Sequence, residues 1–575
     1  WNEKNRPFGP EVERKEPSPR STAVVAAVAG SVIVTIPALN LVPAPREARE
    51  RAGGSTLLGA TTSLSCDPQL AGTARLLRQR LGAATGWELP TASADGAGIV
   101  LRYVTDAADG PATVQHDEGY RLDTTSGRVL IEAAGEPGAY YAVQTLLQLL
   151  GEPAFRRAPA SEPSWTVPAV TITDAPRCGY RGVMLDVARH FMPKNDLLVM
   201  IEGLAAHKLN VLHLHLTDDQ GWRIEIRRYP ELTRRGAWRA RSTRGAGRGE
   251  DRYDETPHGG FYTQDDLREI VAFAAQRHIT IIPEIDVPGH SQSAIAAYPW
   301  LAGLPDDATP EVWDRWGVNE LVIDPSPETV DFYRNVLDEL LQLFPAPWIG
   351  LGGDEVPLTQ WEANPAARQR AAELGLPDVG GLHFWFLDAL ADHLRAHGRR
   401  PAFWDEAAEG DLDRRALIHC WREPYRGPEA LAKGFDVVMC PERHLYFDYA
   451  QSDSPDEPIP VGRVTTLEST YDFDPIPSGL DGALPGRLLG AQANVWTEHL
   501  DSPQRVQYAA FPRLCALAEN LWSPAGSRDY ADFVRRLETA HLARLSAMGL
   551  EYRPLSGPLP WQKRPGVAGT LHLAK

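Results

Sequence analysis

The sequence predicts a (β/α)8 TIM barrel preceded by a small α+β domain. Short β-branched or aliphatic runs alternate with amphipathic helical stretches over roughly 350 residues, the pattern of parallel strands joined by helical crossovers. The number of units suits a closed barrel better than an open sheet. Ahead of them, strands mix with two helices, and the Pro-rich stretch "RRAPASEPSW" then marks a boundary.

The elements follow in order. Residues 1–38 read as an N-terminal extension, disordered or targeting. Its apolar run, "RSTAVVAAVAGSVIVTIPAL", carries no charge after Arg20, but it follows the mixed-charge "EVERKEPSPR" and contains Gly30, Ser31 and Thr35. A cytoplasmic location is therefore favoured over a secreted one or an anchor through residues 21–39. Residues 39–165 form the small domain. There "PQLAGTARLLRQRLG" and "GAYYAVQTLLQLLGE" have helical spacing, "GIVLRYV" reads as a strand, and "YRLDTTSGRVLIEAA" reads as a hairpin around Ser126-Gly127.

Residues 166–555 form the barrel, and 556–575 a tail. Seven strands are legible: "RGVMLDV", "NVLHLHL", "ITIIPEI", "WIGLGGDE", "PAFWDEA", "DVVMCPE" and "LLGAQANVW". Helices are expected at Asn195–Lys208, Gln264–Arg277 and around Phe384–His397. Functional residues of such barrels sit at the C-terminal ends of strands. Polar residues gather there: Arg189 and His190, Asp218 and Asp219, Asp286 and His290, Asp354 and Glu355, then Trp404, Asp405 and Glu406, Tyr446 and Asp448, Trp496 and Glu498.

Composition narrows the chemistry. A formal net charge of -18 disfavours nucleic acid as a partner, because phosphate contacts need a basic face. The five cysteines show neither C-x-x-C spacing nor the density of a disulfide framework, and read as structural thiols.

Carboxylates beside tryptophans suggest a sugar site, since pyranose faces stack on indole and hydroxyls need charged partners. The usual glycosidase places two carboxylates roughly 5 to 9.5 Å apart across the scissile bond. Adjacent residues such as Asp354 and Glu355 do not readily supply that arrangement, because successive side chains of an extended strand face opposite ways. They suit a substrate that carries its own nucleophile. A 2-acetamido carbonyl is such a group: it needs one acid for the leaving oxygen and one carboxylate to orient its N–H.

"ARHF", "LHLHLTDDQGWR", "PEIDVPGHSQSA", "GGDEVP", "FWDE", "QANVWTE" and "FPRLCALAENLW", in this order, resemble the barrel of glycoside hydrolase family 20, the β-N-acetylhexosaminidases, over about Tyr180 to Trp522. The preceding segment resembles that family's small N-terminal domain. The resemblance implies an exo-acting, retaining enzyme that releases terminal N-acetylglucosamine, and N-acetylgalactosamine, through an oxazolinium ion, with no metal and no cofactor. N-acetylhexosamine-terminated oligosaccharides, including chitin fragments, are the implied partners. Glu355 is then the general acid and base, and Asp354 the group that holds the acetamide, whose oxygen Tyr446 hydrogen-bonds. Trp385, Trp404 and Trp496 wall the acetamide pocket. Arg189 grips the 3- and 4-hydroxyls, with Asp448 and Glu498 at the 4- and 6-hydroxyls. Asp218, Asp286 and His290 form a supporting network.

One departure stands out: "AQSDSPDEPIPVGRVTTLES" lacks the Trp that family members often carry there under the sugar. The insertion "RARSTRGAGRGEDRYDETPHGG" follows the second strand and is placed to shape the entrance. Taken singly, the site residues also have ordinary readings: Trp385 as core, Arg189 as an ion-pair partner, Tyr446 as packing under a loop, Asp218 as a turn cap. Two other functions use the same residues. A metal-dependent barrel hydrolase would use His213 and His215, which instead read as interior barrel layers; a non-catalytic sugar-binding barrel would keep the tryptophans without needing Glu355.

Overall fold

A computed structural model describes residues 39–565 and 567, apart from 52–53, 105–111, 125–126, 161–163, 246–251, 306, 459–460 and 477–483. The apolar N-terminal run and Ser126 thus lie outside the described residues. Among those residues, no helix is long and apolar enough to cross a membrane.

Eight parallel strands close into a barrel: Tyr180–Asp186, Val211–His215, Thr280–Glu284, Trp348–Gly352, Arg400–Trp404, Leu417–Cys420, Asp436–Met439 and Leu488–Val495. The last pairs with the first, Val495 opposite Leu185. One strand was not legible. Leu417–Cys420 is the sixth, so "DVVM" is the seventh strand and "LLGAQANV" the eighth, each one place later than expected. The expected helices are present as Lys194–Ala206, Gln264–Ala275 and Gly381–Ala396. Thr263 caps the second of these, accepting from Asp266 N while the Asp266 side chain accepts from Thr263 N.

The small domain is a six-stranded sheet with helices Ala71–Thr85 and Glu136–Leu150. Tyr120–Asp123 and Val129–Ala133 pair antiparallel, and Gly127 between them takes φ +73°, a conformation that suits glycine. The sheet's last strand is Val170–Asp174. The small domain therefore extends past the boundary expected at 165, because the chain returns to the sheet after the Pro-rich stretch.

A buried polar knot holds this sheet to the barrel. Asp174 accepts from Tyr120 OH at 2.7 Å, Trp522 Nε1 at 2.9 Å and Lys208 Nζ at 3.0 Å. Arg181 pairs with Glu118 at 2.6 Å. Lys208 precedes the second barrel strand and Arg181 is the second residue of the first. The small domain therefore braces the N-terminal end of the barrel and leaves the opposite rim for the site.

Candidate active site

The fourth strand ends in glycines because the backbone must turn sharply there. Gly352 and Gly353 take φ +65° and +85°, and Glu355 takes +48°, an uncommon conformation for a residue with a side chain. At Gly352 a β-carbon would stand 1.7 Å from Asp286 Oδ1, and the same oxygen accepts from Gly353 N at 3.2 Å. Asp286 thus braces the turn. The turn sends its two carboxylates to different places: Asp354 is 8% exposed, while the Glu355 side chain is 41% exposed at the mouth.

Behind them runs a chain of charged groups. Arg189 Nη2 meets Asp218 Oδ2 at 2.9 Å, and His215 Nε2 meets the same oxygen at 2.8 Å. His290, also at positive φ (+49°), places Nδ1 3.3 Å from Asp218 Oδ1 and Nε2 3.5 Å from Glu355 Oε2 and 3.9 Å from Asp354 Oδ2. Burial would raise Asp218, but Arg189, His290 and His215 outweigh it and hold the carboxyl far below its ordinary value. Burial would likewise lower His290, yet Asp218, Asp219 and Glu355 pull it well above the usual imidazole range and favour its charged form. Its hydrogen bond and charge lower Glu355. Asp354 moves the other way, to about 6, driven by burial and by repulsion from Glu355 and Glu284, with His290 opposing.

Trp404, Tyr446, Trp496 and Tyr449 pack with Met184 and Cys440 into one buried group. Trp404 and Trp496 are 5.7 Å apart, and Trp496 lies under Arg189 at 4.9 Å. Burial raises both Asp448 and Glu498; the charge of Glu498 raises Asp448 further, while Arg189 opposes the rise of Glu498 and Asp186 and Asp218 add to it. Asp448 Oδ1 is buried without a hydrogen-bond partner, as is Asp354 Oδ1. Two buried acceptors left open beside an aromatic wall suit the N–H and O–H donors of a ligand.

Trp385 stands apart from this group. It lies on helix Gly381–Ala396 under the Arg370 guanidinium, 5.8 Å away, and lines a cavity of about 800 Å3 with Val356, Leu358 and Phe384. Among the described residues, no ring contact joins it to Trp404 or Trp496.

Four further residues belong to the site. Glu284, the last residue of the third strand, meets His213 Nε2 at 2.8 Å and His215 Nδ1 at 3.0 Å, and accepts from Trp404 Nε1 at 2.9 Å. His213 is an interior-layer residue as expected, but His215 is the last residue of its strand and joins the site network, contrary to that reading. Trp421 follows the sixth strand, stacks 6.1 Å from Tyr446 and donates to Glu406 Oε2 at 3.1 Å. Glu406 is pushed up to about 8 by burial and by Asp354 and Asp405. A charged residue closing an apolar strand and an aromatic just after one were the available signals.

A barrel rim carrying an open carboxylate pair, a charged relay and an aromatic wall defines a glycoside hydrolase. The comparisons agree. Residues 178–525 match the model of the glycosyl hydrolase family 20 catalytic domain, and 38–175 that of the family's domain 2. The chain belongs to glycosyl hydrolase family 20. It is 38% identical to a β-hexosaminidase of Porphyromonas gingivalis over 92% of this chain, spanning 65% of that relative's length. A Vibrio furnissii β-hexosaminidase is 37% identical over 84% of this chain and 76% of its own. The exo β-N-acetylglucosaminidase of Vibrio harveyi, solved with N-acetylglucosamine, superposes with a TM-score of 0.78 at 32% identity, covering 92% of this chain and 80% of that one.

Proposed function

We propose that the protein is an exo-acting β-N-acetylhexosaminidase that removes terminal N-acetylglucosamine and N-acetylgalactosamine with retention, using the substrate's acetamide as nucleophile. The observation that carries this reading is the divergent carboxylate pair. Asp354 is buried with one oxygen open and close enough to Glu406, the acceptor of the Trp421 indole, to raise it by its charge, whereas the Glu355 side chain is 41% exposed. The neighbouring carboxyls are poorly placed to attack. Glu284 is engaged by two imidazoles and an indole, Asp286 by the Gly353 amide, and Glu406 holds its proton up to about pH 8.

In this reading, Trp404, Trp496 and Tyr446 pack around the acetamide, and Tyr446 donates to its oxygen. Asp354 accepts the amide N–H. As the carbonyl oxygen bonds to the anomeric carbon, the glycosidic C–O bond breaks and Glu355 gives its proton to the leaving oxygen. Asp354 faces the positive charge that grows on the oxazolinium ring. Water then attacks the anomeric carbon from the vacated side, Glu355 takes its proton, the ring opens and the sugar leaves as the β-anomer. In the open site His290 favours the ionised form of Glu355. Seating a sugar removes water from that half-exposed side chain, and desolvation raises a carboxyl.

Arg189, Asp448 and Glu498 hold the outer hydroxyls, and Asp218, Asp286 and His290 position and tune the pair. Trp385 is assigned to the approach beside Val356 on its present placement. Trp421 takes the aromatic position that "AQSDSPDEPIPVGRVTTLES" does not supply. A metal at the Asp218 cluster would have to displace Arg189 and two imidazoles, which already occupy that carboxylate.

Hydrolysis of 4-nitrophenyl N-acetyl-β-glucosaminide against 4-nitrophenyl β-glucoside tests the reading. The acetamido sugar should be cleaved at least about a thousandfold faster, and Glu355→Gln should remove the activity. Comparable rates for both sugars would overturn substrate assistance.

A further inference from the structure

Two histidines and a cysteine meet in the interior, away from the sugar site. His207 follows helix Lys194–Ala206 just before the second barrel strand, at the end of the barrel opposite the site. Cys515 lies in helix Arg513–Trp522, and His541 closes a single π-helical turn, Leu537–His541, in the C-terminal helical segment. All three are buried. The Nε2 atoms of the two imidazoles stand 2.8 Å apart, and Cys515 Sγ is 3.3 Å from His207 Nε2. Among the described residues, no fourth histidine, cysteine or carboxylate joins this group.

Hydrogen bonds alone leave this cluster unbalanced. The Gly203 carbonyl can only accept, so His207 Nδ1, 2.6 Å away, donates to it and carries the proton. Burial lowers His207 to about 4, so the ring is neutral and its Nε2 is a lone pair. That one lone pair faces two donors, the His541 ring and the Cys515 thiol. Burial, His207, Arg544 and Arg536 hold His541 well below the usual imidazole range, so it is neutral too. Its Nδ1 is buried without a hydrogen-bond partner, and the ring proton can move there at the cost of no bond but the one to His207. Burial and Glu519 push the thiol up, so the sulfur ionises only with a cation bound to it. An imidazole whose other nitrogen donates to a backbone carbonyl is the form in which histidine ligates metals, and π-helical turns recur at functional sites.

We propose that His207, Cys515 and His541 form a closed site for one cuprous ion, which ties the C-terminal helical segment to the base of the barrel. Two imidazole nitrogens and a thiolate are a soft donor set suited to Cu(I). At a metal–nitrogen distance of about 2.0–2.1 Å, two ligand nitrogens lie about 3.3 Å apart, so the rings need to part by only about half an ångström from their present 2.8 Å. On loading, the sulfur–copper bond forms as the Cys515 proton leaves to solvent; the copper stays monovalent, so nothing is oxidised. Thiolate and monovalent ion then cancel. A divalent ion would leave a buried net charge near Arg536 and Arg544, and zinc in structural sites takes a fourth ligand that this group does not offer. His541 lies beyond residues 178–525 matched by the catalytic-domain model, so the ion joins the shared barrel to a segment outside it.

Because the site is closed, the test loads it as the chain is made. The full chain is produced in cells given copper and zinc together, purified without oxygen in the presence of ascorbate, and its metal counted by mass spectrometry. Wild type should hold about one copper per chain, and Cys515→Ser and His541→Gln less than about a tenth of that. An ultraviolet thiolate-to-copper absorption should appear in wild type and be missing from Cys515→Ser, and wild type made with copper should have a higher Tm than wild type made without it. Circular dichroism checks that the variants fold; where they do not, the absorption and the Tm of wild type decide. Copper held equally by all three proteins would lie elsewhere, as on the exposed Asp338 and its neighbours His393 and His397, and would overturn the site. A folded wild type that holds no metal, or holds zinc instead, overturns the cuprous assignment.

Discussion

In the proposed mechanism His290 lowers the pKa of both carboxyls, Asp354 and Glu355, and His290→Asn removes its charge while keeping a side-chain donor for Asp218. Its Nε2 lies 3.5 Å from Glu355 and 3.9 Å from Asp354. A nearby cation favours the ionised carboxylate, so its loss raises both pKa values. Glu355 is 41% exposed, and the dielectric of water is the fitting choice there. Coulomb's law then gives about 1.2 kcal/mol, or roughly one pKa unit. Asp354 is buried, and an effective dielectric between about 80 and 20 gives roughly one to three units above its present value near 6. The pair titrates together, and both limbs of the bell belong to it. Both limbs of kcat/KM against pH should therefore move up by at least about one unit, with the maximum at higher pH. The assay is hydrolysis of the 4-nitrophenyl acetamido sugar across the acid and neutral range, with circular dichroism as the check on folding. A folded variant whose profile stays in place, or moves to lower pH, would refute the role given to the imidazolium.

Two further predictions address the scaffold. Gly352→Ala puts a β-carbon into Asp286 at a left-handed residue, so kcat/KM should drop by more than about a hundredfold and stability by roughly 2–4 kcal/mol, read by kinetics and urea unfolding; wild-type values would refute the account of the turn. Lys208→Met leaves Asp174 buried without its cation and should cost about 3–5 kcal/mol in urea unfolding; a loss under about 1 kcal/mol would show that Tyr120, Trp522 and the Arg46 amide satisfy that carboxylate without the lysine.

The barrel was readable where strands are buried on both faces and therefore rich in aliphatic residues, as in "RGVMLDV" and "ITIIPEI". Leu417–Cys420 was missed because its two aliphatic residues are followed at once by His419, whereas the equally short Asp436–Met439 carries Val-Val-Met. That single miss hid a second feature. Trp421 sits at the end of the unrecognised strand, so the rule that directs attention to strand ends passed over the aromatic that stacks beside Tyr446. Glu284 escaped for a related reason: it read as part of its strand, whereas its carboxylate ties His213, His215 and Trp404 together. Trp385 shows the opposite case, since a residue's place in a motif does not fix which way a helix turns its side chain.

The geometry of the turn explains why two consecutive carboxylates can serve one substrate. In regular extended backbone Asp354 and Glu355 would point to opposite faces, one into the barrel and one into the helical layer. Left-handed residues at 352, 353 and 355 break that alternation, so both groups stay on the rim at different depths. Such a turn is unfavourable at Glu355 and again at His290, and it persists because Asp286, the Gly353 amide and the Asp218 cluster fix it from behind. The strain thus falls on the carboxyl donor and the imidazole that tunes it. A relaxed loop would return Glu355 to the strand's alternation and take its proton away from the leaving oxygen. The braces are therefore as necessary to the proposed chemistry as the two carboxylates they hold.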